Sequence, residues 1–289
     1  GLPLHKLEAM LTVARDAMSQ DDSSLCDLLR EPTALDQYFT WTANEDVSQW
    51  GEQLLRLYLD ATSQENHYES MAAVTDLGNS ANKVVHVGEG ILALGMERGI
   101  DEFSRLNEIK TIFLRREQRE AALFAIEKCL SVTKRVVLAG SPGTGKTYGT
   151  MAAIVAELLS CNYPVLRVEK KLGLCLLVPG PGRTVSAWTS RLKDHSLSLS
   201  VFTQLYGVIT VIDPPERFDN ALNQSDLTGR SILVSPDNRE KHYASIKKEY
   251  GKVYFTSPPT PEEALILCRL MWTDSSTKKG VKLTGRELE

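Results

Sequence analysis

The sequence predicts an α/β fold: a mainly parallel β-sheet flanked by helices, preceded by an α-helical N-terminal region. Three observations carry this. From about residue 109 onward, short apolar and β-branched runs alternate with helical segments, the order that builds a parallel sheet covered on both faces. One run, "RVVLAG" (135–140), leads straight into the glycine-rich "GSPGTGKT" (140–147) and then a helical pattern. The first hundred residues, by contrast, carry apolar positions mostly at helical spacing.

Along the chain, Leu4, Leu7, Leu11, Ala14 and Met18 mark a first helix, and Ser23–Arg30 and Ala34–Trp41 are shorter candidates parted by Pro32. A cleaner helix places Val47, Trp50, Leu54, Leu57 and Ala61 on one face. Asn44 is its N-cap, with Glu45 and Asp46 in the first turn, where the helix dipole favours negative charge. The stretch "NKVVHVGEGILALGMERG" is apolar but interrupted by Gly88, Gly90, Gly95 and Gly99, so its pattern selects neither helix nor strand. "IKTIFL" is a strand start, and the following helix has Ala121, Leu123, Phe124, Ile126 and Leu130 as apolar positions. After "RVVLAG" comes a helix from Lys146 to about Ser160, then "YPVLRVEK" and "LGLCLLV", a hairpin turning near Lys170 to Gly173. "VPGPGRT" (178–184) is a turn. "GVITVIDPP" (207–215), "SILVSP" (231–236) and "KVYFTSP" (252–258) are further strands, and a helix runs from Glu262 to Trp272. The expected organisation is a helical region over 1–105, an α/β core over 106–272, and a basic tail over 273–289 that begins a truncated lid or C-terminal region.

Composition narrows the function classes. The 33 basic and 37 acidic residues among 289 give a net charge of −4, so bulk charge does not draw the chain to nucleic acid or anionic membrane. A local basic patch would not register in that balance. The tail lysines Lys278, Lys279 and Lys282, with Arg286, fit a nuclear address, a nucleic-acid contact or, more commonly, a solvated tail. Five cysteines lie far apart without a CxxC pair, so neither a zinc site nor a disulfide framework is indicated. The five isolated histidines suggest no metal role, and the four tryptophans suit core or interface packing. No apolar run spans a bilayer, and "GLPLHKLEAM" shows no secretory signal. Starting at Gly1 and stopping at "GRELE", the chain reads as a piece of a longer protein.

The chemistry concentrates in residues 140–147, which fit GxxxxGK[ST] at every fixed position. Chance would place that pattern in a chain this long about 1% of the time at average residue usage. The glycines let the backbone wrap so that N–H groups face an anion at a helix N-terminus. Gly140, Ser141, Pro142, Gly143, Thr144, Gly145, Lys146, Thr147 and Tyr148 are therefore the expected nucleotide-binding residues of a P-loop NTPase. Lys146 reaches the β/γ-phosphates, and the Thr147 hydroxyl holds Mg²⁺. Asp213 closes the apolar strand "VITVID" and is the second expected metal residue. ATPases with an extra strand beside the P-loop strand commonly carry another acid directly after this Asp, to orient the attacking water. Here that position is Pro214. Glu216 is the substitute for that catalytic role, a solvated loop acid being the other reading. Ser235, ending "SILVS", is either a γ-phosphate sensor or part of a plain turn.

The order of these segments resembles the STAND branch of AAA-like P-loop ATPases: "IFLRREQREAAL" before the loop, then "VITVID", "ILVSP" and "VYFTSPPTPEEALIL". In that branch an "hxGRe"-like segment lies by the nucleobase, which implies a nucleotide role for Arg115 or Arg116, although Leu114 stands where the family has Gly. A Pro–x–x–x–EA pattern opens the lid. More closely, "GRSILVSPDNREKHYASIKKEYGKVYFTSPPTPEEALIL" is similar to the NTPase module of Crinkler effectors and of retrotransposon hot spot proteins. The resemblance covers 105–272. The leader and LFLAK-type header of secreted Crinklers are absent from this chain, as is a nuclease-like or kinase-like domain after 272. The resemblance implies a protein secreted by a pathogen, or of a mobile element, acting in a host nucleus; otherwise the protein is expected to be intracellular. It implies an NTPase that powers or gates an attached effector domain, with a host protein or nucleotide-dependent self-association as partner.

Two function classes stay open on this reading. One is an Mg²⁺-dependent ATPase in which Lys146, Asp213 and Glu216 serve catalysis, with ATP favoured because no Asn/Thr-Lys-x-Asp guanine-reading motif follows. The other is a nucleotide-dependent binding switch with little turnover, favoured by the missing second acid. A nucleic-acid-stimulated ATPase is a third, weaker reading.

Overall fold

The structure is a computed structural model that describes residues 41–63, 83–88, 90–97, 111–131, 133–141, 144–168, 173–191, 208–213, 229–236 and 251–268. It is a mixed α/β fold built on an eight-stranded, mostly parallel sheet. Its strands are β1 (Thr42–Ala43), β5 (Arg135–Gly140), β6 (Val165–Val168), β7 (Gly173–Pro179), β8 (Val185–Arg191), β9 (Ile209–Ile212), β10 (Ser231–Pro236) and β11 (Lys252–Thr256). They run in the spatial order β1-β8-β7-β6-β9-β10-β5-β11. Strands β6, β9, β10, β5 and β11 are parallel, and β7, β8 and β1 extend the sheet antiparallel. A second, antiparallel sheet has the order β2 (Val84–Val87), β3 (Ile91–Gly95) and β4 (Thr111–Leu114).

The central strands read as unbroken apolar runs because both of their faces are covered. In β5, Val136, Val137, Leu138 and Ala139 are all fully buried although successive side chains point to opposite faces. One of those faces packs on three helices: α1 (Glu45–Ser63), α2 (Arg116–Leu130) and α3 (Met151–Ser160). Helix α1 starts where its cap residue predicts, with the Val47 amide donating to Asn44 Oδ1 at 3.2 Å. Its buried stripe of Val47, Trp50, Leu54, Leu57, Tyr58 and Ala61 lies against β8 and α3. Trp50 and Trp188 are core residues, as their spacing suggests.

Several elements differ from the sequence expectation. Within 1–105 the described residues are not helical throughout: besides α1 they form β1, β2 and β3. The glycine-interrupted stretch is the β2–β3 hairpin, turned at Gly90, whose φ of +71° is the left-handed region that glycine reaches without strain. Strand β1 joins the main sheet by pairing with β8, and α1 shares the core of the α/β part. Strand β8 had no counterpart in the sequence reading; it follows the "VPGPGRT" turn, whose Pro181–Arg183 segment is a single 3-10 turn. The expected helices before Trp41, residues 269–272 of the helix expected to run to Trp272, the tail over 273–289 and all of the hairpin turn expected near Lys170 to Gly173 except Gly173 lie outside the described residues. None of the described helices is long and apolar enough to cross a membrane.

Candidate functional site

Parallel strands deliver their C-terminal ends to one edge, and in open α/β sheets that edge is where ligands bind. Register fixes what meets there. Ser235 on β10 pairs with Ala139 on β5, and Thr256 on β11 pairs with Gly140. Asp213 directly follows β9, whose Ile212 is level with Leu233 on β10 and Val168 on β6. Strand β10 therefore stands between the loop-bearing strand β5 and the Asp213 strand β9.

Gly140 ends β5, and the chain turns through Ser141 and Thr144 into Gly145. Gly145 takes φ +75° and ψ 18°, the left-handed geometry that only glycine adopts cheaply. The helix then opens as a π-turn over Lys146–Thr150, with the Met151 amide bonded to Lys146 O, before α3 begins. Wide turns of this kind are frequent at functional sites. The first intrahelical bonds are Gly149 N–H to Gly145 O at 2.7 Å and Thr150 N–H to Gly145 O at 3.3 Å. The amides of Lys146, Thr147 and Tyr148 thus occupy the helix mouth, where anions are stabilised.

The Lys146 ammonium is buried and turned back into the loop. It donates to Gly140 O and Ser141 O at 2.6 Å each and to Thr144 Oγ1 at 2.9 Å. Carbonyl oxygens carry only partial charge, so phosphate oxygens are stronger acceptors for the same cation. Asp213 is buried at 6% exposure, and its amide donates to Val168 O at 2.9 Å. Ser235 is fully buried on β10.

The two arginines before the loop have different fates. Arg116 is exposed and pairs with Glu120 at 3.1 Å, one helical turn on. Arg115 is buried and its guanidinium is a hub: Nη1 donates to Glu263 Oε2 at 3.2 Å, and Nη2 to Ser257 O at 3.1 Å, Thr144 O at 3.4 Å and Glu117 Oε2 at 3.4 Å. Glu263 belongs to α4, the helical residues 261–268. There a reciprocal capping box forms, Thr260 N–H to Glu263 Oε2 at 2.9 Å and Glu263 N–H to Thr260 Oγ1 at 3.2 Å. Glu117 sits beside this hub and accepts from the Ser257 amide at 3.1 Å. Burial pushes its carboxyl above the ordinary 4.5, against the lowering effects of the Ser257 amide and the Arg115 guanidinium.

The structure thus gathers Gly140, Ser141, Thr144, Gly145, Lys146 and Arg115 around one loop, with Ser235 and Asp213 on the same sheet edge. Tyr148 is on the first turn with 43% exposure. Pro142, Gly143, Glu216 and the side chain of Thr147 lie outside the described residues. Sequence reasoning missed Gln118 and Glu263. Gln118 is three residues after Arg115, at the spacing where a helix side chain reaches back to its own start, and the Arg115 amide does donate to Gln118 Oε1 at 2.8 Å.

Among the described residues no three His, Cys, Asp or Glu side chains form a group able to hold a metal by themselves. Mg²⁺ shared with a triphosphate needs only one or two protein oxygens beside phosphate and water, and a buried Asp213 at a strand end fits that chemistry. No protein-family model matches the chain, and no curated protein matches it.

Proposed function

We propose that the chain is a P-loop NTPase module that binds ATP with Mg²⁺ and hydrolyses it. The observation that carries this reading is the Lys146 ammonium, buried inside a glycine loop at the C-terminal edge of a parallel sheet, with Asp213 directly after β9, the next strand but one on that edge. The order β9-β10-β5 supports the subclass with an extra strand beside the P-loop strand.

In this mechanism the triphosphate takes the place of the loop carbonyls at Lys146. The loop amides and Lys146 then stabilise charge on the γ-phosphoryl oxygens as it passes to water. The water oxygen forms the new bond to the γ-phosphorus and its proton passes to solvent, the bond from that phosphorus to the bridging oxygen breaks, and ADP leaves with that electron pair. Glu216 aims the water, and Ser235 senses the γ-phosphate. Mg²⁺, when bound, would be held by the Thr147 hydroxyl and Asp213 and would supply charge neutralisation at the phosphates.

A second reading, a nucleotide-dependent switch with little turnover, is favoured by Pro214 standing where a second acid is expected and by the direct tie from the loop through Arg115 to α4. The sequence resemblance to Crinkler-like NTPase modules supports a role in regulating an attached effector domain or a host partner in the nucleus. Phosphate release from ATP with Mg²⁺ separates the two readings. The ATPase predicts release that falls at least about 100-fold in Lys146→Ala and Asp213→Ala. Binding of ATP without release would replace it with the switch.

A further inference from the structure

The carbonyl of Thr144 is held from the α2 side by two side chains, Gln118 Nε2 at 3.0 Å and Arg115 Nη2 at 3.4 Å. In a trans peptide the C=O and the following N–H point in opposite directions. Pinning this carbonyl toward α2 therefore turns the Gly145 N–H away from α2, onto the open side of the loop. The Gln118 carboxamide is itself fixed, because its Oε1 accepts from the Arg115 amide at 2.8 Å. It also fills the room beneath the loop: a Cβ on Gly145 would stand 2.6 Å from Gln118 Nε2, and one on Gly149 2.8 Å from the same atom. Arg115 is anchored in turn by Glu263 on α4.

We propose that Gln118 and Arg115 are positioning residues that preset the Thr144–Gly145 peptide plane so that the Gly145 amide donates to a nucleotide's terminal phosphates. Neither side chain touches the nucleotide. This inference rests on the nucleotide-binding reading above and adds the residues that set phosphate recognition. It also gives Arg115 a role different from contact with the base. Through Glu263, the seating of α4 bears on the same peptide plane.

The test is competition of ATP and of AMP against a fluorescent ATP analogue with Mg²⁺, using wild type and Gln118→Glu. The substitution keeps the acceptor for the Arg115 amide and removes the donor to Thr144. ATP affinity is expected to fall about tenfold, the loss of one well-placed hydrogen bond, while AMP affinity stays near wild type. Gln118→Met, similar in length and without the donor, carries the same expectation should the glutamate variant not fold. Unchanged ATP affinity in a folded variant, or equal losses for ATP and AMP, would overturn the clamp while leaving nucleotide binding intact. A wild-type chain that binds no ATP would overturn the nucleotide reading itself, and the clamp with it.

Discussion

The two buried cations near the loop, Lys146 and Arg115, serve different ends, and their substitutions should separate accordingly. Lys146 donates to Gly140 O, Ser141 O and Thr144 Oγ1, the groups that a triphosphate would replace, and Lys146→Met should lose nucleotide affinity while the fold persists. Arg115 sits between Glu263 and Glu117. Arg115→Ala leaves a buried Glu263 carboxylate without its cation and should destabilise the chain by about 3–5 kcal/mol, read by urea denaturation. Glu117 gives a pH signature. Because burial raises its folded pKa above 4.5, its contribution to stability is fully present below that value and is lost as pH rises through the folded pKa. The melting temperature of wild type relative to Glu117→Gln should therefore drop between pH 4.5 and neutrality. An offset that is flat with pH would contradict the assignment. At this scale the sequence shows the loop because its spacing is local, six residues from Gly140 to Lys146. It hides the Arg115–Glu263 pair, whose members are 148 residues apart and meet only through the fold.

Elements were legible where one face repeats and an end is marked. Helix α1 has both signals, an apolar stripe and the Asn44 cap. Leu54 is fully buried in that stripe, and Leu54→Ala should cost about 2–5 kcal/mol of stability, measurable by denaturant titration. Strand β8 lacked a clear signal, since "VSAWTSR" interleaves Ser and Thr with its buried Val185, Ala187 and Trp188. The β2–β3 hairpin was obscured by its glycines, of which Gly90 makes the turn. In both cases strand pairing over a distance, rather than local propensity, decides the outcome.

In the whole molecule, the pairing of strands brings separated segments to one edge. Residues near 140, 213, 235 and 256 reach one edge because β9, β10, β5 and β11 run parallel and in register, and Arg115 joins them through its bonds to Thr144 O, Ser257 O and Glu263. Alternating strands and helices announce that a parallel sheet exists, and so the fold class was legible. They do not give the strand order, which depends on crossovers packing against a shared core. That core also reaches α1, so the helical face preceding the α/β part is covered by it. Whether this edge holds a triphosphate is decided by equilibrium binding of a fluorescent ATP analogue to wild type and Lys146→Met in the presence of Mg²⁺. Saturable binding is expected, displaced by unlabelled ATP and weakened at least tenfold, about 1.4 kcal/mol, in Lys146→Met. No binding by the folded wild-type chain, or equal binding by the variant, would contradict a triphosphate site at this edge.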